Sequence, residues 1–399
     1  MAVIRRKDSN GRVLQSGESQ RKDGIYQYRY TYGGKRETVY APNLNELRQK
    51  EKEIQALLGA GINYAAGTID TIELVAKYIN LRQGVRYSTR VGYQFVSNIL
   101  KRETFCRKPI RDIPASEAKA WMKKLFYEDG YGYNTLTAIK GVVAPAFRMA
   151  YEEDVIKRNP FDFDLTVVVP NNAKPRQALT DQELIDWLDF VKNDSTYRKY
   201  YDEFIVLLGT GLRVSEFCGL TLQDIDFDEM RIKVERQLAR TRSGKFYVEK
   251  PKTKNGVRYI PMSPEVCESM QNIVQQRYSG GPEIIIDGVV GFLLLDRSHR
   301  PKVALHIENE LRWCMKKYQK RYPNKKLPKI TPHVLRHTFC TNMARNGMAI
   351  KNLQYLMGHS DVGTTLNIYT HSRYEDAAKE MLNIRVIDTD TKQNERRTG

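Results

Sequence analysis

The stretch TVVVPNNAKPRQALTDQEL, residues 166–184, constrains the fold more than any other. Pro170 and Pro175 flank a pair of asparagines. Each proline lacks an N–H and denies the residue before it helical geometry, so neither a helix nor a central strand runs through. Thr180 and Glu183 then stand at the spacing of a capping box, which starts a new helix. The chain therefore breaks near 172.

Before the break, residues 68–170 read as a helical unit. TIDTIELVAKYINLRQ, STRVGYQFVSNILKR, SEAKAWMKKLFYEDG and NTLTAIKGVVAPAFRMAYEED each place apolar residues at helical spacing, with Pro145 expected to kink or adjust the last. After it, residues 175–384 read as mostly helical with one β interruption. MRIKVERQLART, KFYVEKPKTKNG and VRYIPMS are short strands with turns at Ser243-Gly244 and Asn255-Gly256. Residues 385–399 are polar and read as a disordered tail. The expected class is mainly α with small β elements (α+β).

Residues 1–65 form a further unit, a β-sheet plus one helix. Tyr26, Tyr28, Tyr30 and Tyr32 alternate with Gln27, Arg29 and Thr31, and Gly33-Gly34 supplies a hairpin turn. A charged helix follows in NLNELRQKEKEIQALLGAG. The tyrosines fit two readings, a face that lies in a DNA groove or a face packed on the helix; the basic edge favours DNA.

Charge narrows the function. Lys plus Arg is 65 against 47 Asp plus Glu, a net +18, which points to a polyanionic partner. No apolar run reaches the ~20 residues of a membrane span, and the first residues lack the apolar core of a signal peptide. Nucleic acid is thus favoured over a membrane surface. The cysteines Cys106, Cys218, Cys267, Cys314 and Cys340 are scattered, with no zinc-ribbon or disulfide spacing, and read as reduced thiols in a cytoplasmic protein.

Five islands carry the chemistry. GTGLRVSEFCGL presents Arg213 after a Gly-rich turn, with Glu216 placed to brace it. EKPKTKNGVRYIPM offers Lys252 or Lys254 on a tight hairpin. In ITPHVLRHTFCTNMARNGM, Thr331 caps a helix, Pro332 takes its first position and Gly347 ends it; His333, Arg336 and His337 share a face suited to an anion. Zinc is disfavoured there, because Val334 stands where the zinc helix needs Glu. LQYLMGHSDVGTT holds His359 in a loop between helix ends, and TTLNIYTH contains Tyr369. Taken singly, each island has a bland reading: paired or solvated cations and a packing tyrosine. Together they suit one phosphodiester, since arginines bind its oxygens in bidentate fashion and a tyrosine hydroxyl can attack it. The chain has no phosphate-binding G-x-x-x-x-G-K-[ST] loop and no carboxylate cluster for magnesium, so the expectation is a reaction without cofactor or metal.

The order Arg, Lys, H-x-x-R, G-H, Tyr, as it stands in GTGLRVSE, PKTKNGVRYIP, HVLRHTF, LMGHS and NIYTH, resembles the tyrosine recombinase (phage-type integrase) family. The resemblance implies a catalytic domain over 175–384, a core-binding domain over 68–170 and, as in integrases of conjugative transposons, an arm-type DNA-binding domain over 1–65. It implies Tyr369 as nucleophile, Arg213 and Arg336 as clamp on the scissile phosphate, His333 as acceptor of the tyrosine proton, His359 as a phosphate contact and Lys252 as general acid. Lys252 is preferred to Lys254 because it keeps the family's P-K-T pattern. The resemblance further implies double-stranded DNA with core and arm sites, a homo-tetramer on that DNA, and a directionality factor and host DNA-bending protein as further partners. A type IB topoisomerase and a non-catalytic DNA-binding regulator are the competing readings. The first lacks a use for residues 1–65, and the second for a complete catalytic set.

Overall fold

A computed structural model of the chain describes residues 6–32, 35–59, 66–173, 177–251, 256–277, 283–363 and 366. The chain forms two compact units, Met1–Lys174 and Pro175–Gly399.

The first unit opens with a three-stranded antiparallel sheet of β1 (Glu18–Gln20), β2 (Tyr26–Tyr32) and β3 (Lys35–Ala41), followed by α1 (Leu44–Gly59). Tyr28 pairs with Val39 and Tyr26 with Ala41. Tyr26, Tyr28 and Tyr30 are buried against Leu44, Leu47 and Ile54 of α1, while Arg29 and Thr31 on the same strand are exposed. The tyrosine face is therefore a core face, and of the polar alternates Arg29 and Thr31 lie on the outer surface while Gln27 is buried. Gly33 and Gly34 lie outside the described residues. Arg48 ties α1 to the sheet by pairing with the buried Glu18 at 2.9 Å.

Four helices follow: α2 (Thr71–Leu81), α3 (Tyr87–Leu100), α4 (Ala115–Tyr127) and α5 (Tyr133–Glu152). Asp70 caps α2 by accepting from the Glu73 N–H at 2.8 Å, the usual remedy for orphan donors at a helix start. The helices bury one apolar face each around Trp121, Phe147 and Phe161. α5 continues through Pro145, with Val142, Val143, Ala146 and Phe147 all buried. Asn159 donates to the Ala144 carbonyl beside that proline at 3.0 Å.

The second unit starts with α6 (Asp181–Asn193). Thr180 Oγ1 accepts from the Glu183 N–H and Glu183 Oε2 accepts from the Thr180 N–H, completing the capping box. Then come α7 (Tyr201–Thr210), α8 (Val214–Cys218), β4 (Ile225–Asp226), β5 (Arg231–Val234), β6 (Gln237–Arg240), β7 (Phe246–Glu249), β8 (Arg258–Pro261), α9 (Pro264–Gln276), α10 (Ala304–Arg321), α11 (Pro332–Arg345) and α12 (Ile350–Met357). The strands make two small antiparallel sheets, β4-β5-β8 and the hairpin β6-β7. The single strand expected across residues 230–241 is interrupted at Glu235 and Arg236, where Arg236 turns its guanidinium to Asp224 and Glu235. The Ser243-Gly244 turn closes β6-β7, with Gly244 at φ 92. Asn255 lies outside the described residues. Trp187, Phe204, Phe217, Leu311 and Leu335 centre the core on which the sheets and helices pack.

All five cysteines are free thiols, four of them buried. Among the described residues no helix is long and apolar enough to cross a membrane.

Candidate active site

The site is assembled by three chain reversals in the second unit. α7 ends at Gly211, whose φ of 62 is the left-handed conformation that stops a helix at little cost only for glycine. The chain turns at once into α8, and Arg213 stands at its N-cap. α12 ends at Gly358, also left-handed at φ 59, and His359 follows it. Between them in space lies α11, started by Thr331, whose Oγ1 accepts from the Val334 N–H at 3.2 Å, with Pro332 at the first position and Gly347 (φ 78) beyond its end. Asp361, two residues after His359 in the chain, accepts from the Gly363 N–H at 3.1 Å.

Arg336 projects from the middle of α11 and is buried. Its Nη1 donates to the Gly211 carbonyl at 2.6 Å; its Nη2 donates to the Met357 carbonyl and lies 3.1 Å from His359 Nε2. A guanidinium has no acceptor, so Nε2 accepts and the ring proton belongs on Nδ1. Arg213 Nη2 donates to the Gly358 carbonyl at 3.1 Å. Arg213 from the start of α8 and Arg336 from α11 thus converge on the turn at residues 357–359, which carries His359.

Glu216 organises the cations. Its carboxylate accepts from the Arg213 N–H at 3.0 Å and from Arg213 Nη1 at 2.7 Å. From the other side Arg258 donates Nη2 at 2.9 Å and Nη1 at 3.3 Å. Burial alone would raise this carboxyl, but hydrogen bonds from Arg258 and the charges of Arg258 and Arg213 outweigh it and hold the group at about 2. Burial, followed by the charges of Arg336 and Arg213, pushes His359 down to about 4, so its imidazole is neutral near pH 7. Burial and the neighbouring Arg213 lower Arg336 from its ordinary value, but as an arginine it remains a cation. One carboxylate among three guanidiniums leaves a surplus of positive charge at a partly dry site, an electrostatic setting for an anion.

The structure thus brings together Arg213, Arg336 and His359. His333 occupies the first turn of α11 and is exposed, while His337 is half-buried. Lys252, Lys254 and Tyr369 lie outside the described residues. The sequence reading noted Glu216 and missed Arg258. The signal for it was present: in the alternation of VRYIP, Arg258 falls on the inward face with Ile260, an unusual position for a charge unless it is paired. Among the described residues no group of three His, Cys, Asp or Glu could hold a metal ion.

Residues 177–376 match the phage integrase family, and residues 2–58 match the DNA-binding domain of Tn916 integrase. The transposase from transposon Tn916 of Enterococcus faecalis is 39% identical over 391 residues, spanning 94% of this chain and 96% of that protein. Tyrosine recombinase XerC of Bacillus subtilis is 27% identical over 320 residues, 78% of this chain and 93% of that one. Among solved structures, the Tn1549 transposon integrase in complex with a circular intermediate DNA superposes with a TM-score of 0.75 at 38% identity, covering 79% of this chain and all of that one. A lambda integrase dimer bound to a core site shares the fold, with a TM-score of 0.53 at 16% identity over 89% of this chain and 95% of that one. The chain belongs to the phage integrase family of tyrosine recombinases, enzymes that cut and rejoin DNA. Its residues 2–58 are of the Tn916 integrase DNA-binding kind.

Proposed function

We propose that this protein excises and integrates a transposon-like element by site-specific strand exchange through a 3′-phosphotyrosyl intermediate. The observation that carries the reading is the convergence of Arg213, Arg336 and the neutral His359 on one turn, where two guanidiniums and an imidazole can receive a single scissile phosphate. The Tyr369 oxygen attacks phosphorus and the bond to the 5′ oxygen breaks. The phenolic proton passes to His333, and Lys252 supplies a proton to the leaving 5′ oxygen. The arginines balance the charge that grows on the non-bridging oxygens, where one lost donor costs about 3 kcal/mol of barrier. Rejoining is the same path in reverse, with a 5′ hydroxyl attacking the phosphotyrosine, so no external energy source is needed.

Residues 1–65 read arm sites, 68–170 grip the core site and 175–384 cut and rejoin; residues 385–399 lie outside the described residues. The exposed Arg29 and Thr31 on the outer face of the first sheet support the arm assignment. A homo-tetramer on two duplexes is the working assembly, assisted by a directionality factor and a host DNA-bending protein, in the cytoplasm. Two solved relatives, the Tn1549 transposon integrase in complex with a circular intermediate DNA and a lambda integrase tetramer bound to a Holliday junction, support strand exchange over simple relaxation.

A nicked suicide duplex tests the proposal. Wild type should form a covalent adduct, and Tyr369→Phe none. Arg336→Ala should lose cleavage while keeping DNA affinity; an equal loss of affinity would make the arginine an anchor only. Joining of two separate duplexes distinguishes recombination from topoisomerase activity. Removal of residues 1–65 should spare core-site cleavage and impair recombination of full sites.

A further inference from the structure

Among the described residues Arg258 is the largest charged side chain that is completely buried. With no accessible surface on its side chain, it cannot touch DNA. Yet its guanidinium makes four hydrogen bonds to three separate segments. Nη2 and Nη1 hold the Glu216 carboxylate at 2.9 and 3.3 Å, Nε donates to the Leu356 carbonyl at 2.7 Å, and Nη1 also donates to the Gly256 carbonyl at 3.1 Å. A Cβ on Gly358 would come within 2.9 Å of the same Nη1, so the guanidinium and the glycine turn are fitted face to face. The Tyr259 N–H donates to Tyr355 Oη at 3.1 Å, a second link from β8 to α12.

We propose that Arg258 is a positioning residue for the phosphate clamp. By holding Glu216 from behind, it fixes the carboxylate that orients Arg213; by holding the Leu356 carbonyl, it fixes the turn that sets His359 against Arg336. Its charge also offsets Glu216, so that the carboxylate does not cancel the clamp cations. A lysine in its place has one nitrogen and can face Glu216 or the backbone carbonyls but not all of them with the same planar geometry. The inference rests on the reading of Arg213, Arg336 and His359 as the clamp.

The test compares single-turnover cleavage of a suicide duplex carrying either the ordinary phosphodiester or a methylphosphonate at the scissile position. The methyl group removes the charge that the clamp balances. Arg258→Lys should slow phosphodiester cleavage about 100-fold, the cost of an angstrom-scale misplacement, with DNA affinity unchanged. On one methylphosphonate diastereomer the loss should shrink to less than about 10-fold, because a disordered clamp matters less when that charge is gone. Ile260→Ala, on the same strand and also buried, is the control for plain destabilisation and should show no such selectivity. Arg258→Gln is the second variant if the lysine variant does not fold. An equal loss on both substrates overturns the proposal, as does failure of both variants to fold, which would make the residue a pillar of the core. If Arg213→Ala and Arg336→Ala also show no selectivity, the clamp reading itself fails; if they show it and the Arg258 variants do not, only the positioning role falls.

Discussion

Replacing Glu216 with Gln keeps the side chain's shape and removes its charge. The carboxylate is almost fully buried between Arg213 and Arg258 and is held at about 2 against an ordinary 4.5. That difference corresponds to about 3 kcal/mol in favour of the charged form. The figure agrees in size with the ~3–5 kcal/mol lost when one partner of a buried ion pair is removed. The folded value lies below the unfolded one, so the unfolded chain binds more protons between them. The stabilisation is therefore complete above about pH 4.5 and is lost as the pH falls through about 2. Urea unfolding followed by tryptophan emission measures it. Glu216→Gln should lower the unfolding free energy at pH 7 by about 3 kcal/mol, and the gap to wild type should narrow steadily from pH 4.5 towards pH 2. A loss below about 1 kcal/mol at pH 7, or a gap that is the same at pH 3 as at pH 7, would refute the argument that this carboxylate is held ionised by two arginines.

The imidazole of His359 should titrate near 4 in the free protein, seen by NMR of the ring nitrogens, and a midpoint near 6.5 would contradict its burial among cations. Because an unfolded chain protonates this ring first, its contribution to stability is full above 6.5 and declines as the pH falls towards 4. Lys302 pairs with Glu203 at 2.6 Å and Glu310 at 3.0 Å in the interior of the second unit, so Lys302→Met should cost about 3–5 kcal/mol by thermal or urea unfolding. Gly211→Ala would force a left-handed alanine whose Cβ meets the Phe339 ring at 2.3 Å. It should cost about 2–4 kcal/mol from strain and overpacking together, and slow cleavage, since the Gly211 carbonyl holds Arg336. Unaltered stability in that variant would mean the turn readily adopts another path.

Local rules made much of this protein readable before any coordinates. The capping box at Thr180 and Glu183, the Thr331-Pro332 helix start and the glycine stops at 347 and 358 depend on neighbours within four residues. Their outcome is therefore written in short stretches of chain. Of the cationic face expected in HVLRHTF, the structure brings Arg336 to the turn that carries His359, while His333 is exposed. What the chain alone left open were choices between partners distant in sequence. The alternating tyrosines of β2 suited a groove or a core equally, and only the packing of Leu44, Leu47 and Ile54 against them decides for the core. The strand over 230–241 read as continuous, because nothing local reveals that Arg236 finds its carboxylate at Asp224. The role of the arginine of VRYIP was decided only by the tertiary fold, which sets Glu216, 42 positions away, and Leu356, 98 positions away, around its guanidinium. Backbone geometry is a short-range property that a few side chains dictate; the worth of a buried charge depends on which remote groups replace the water it has lost.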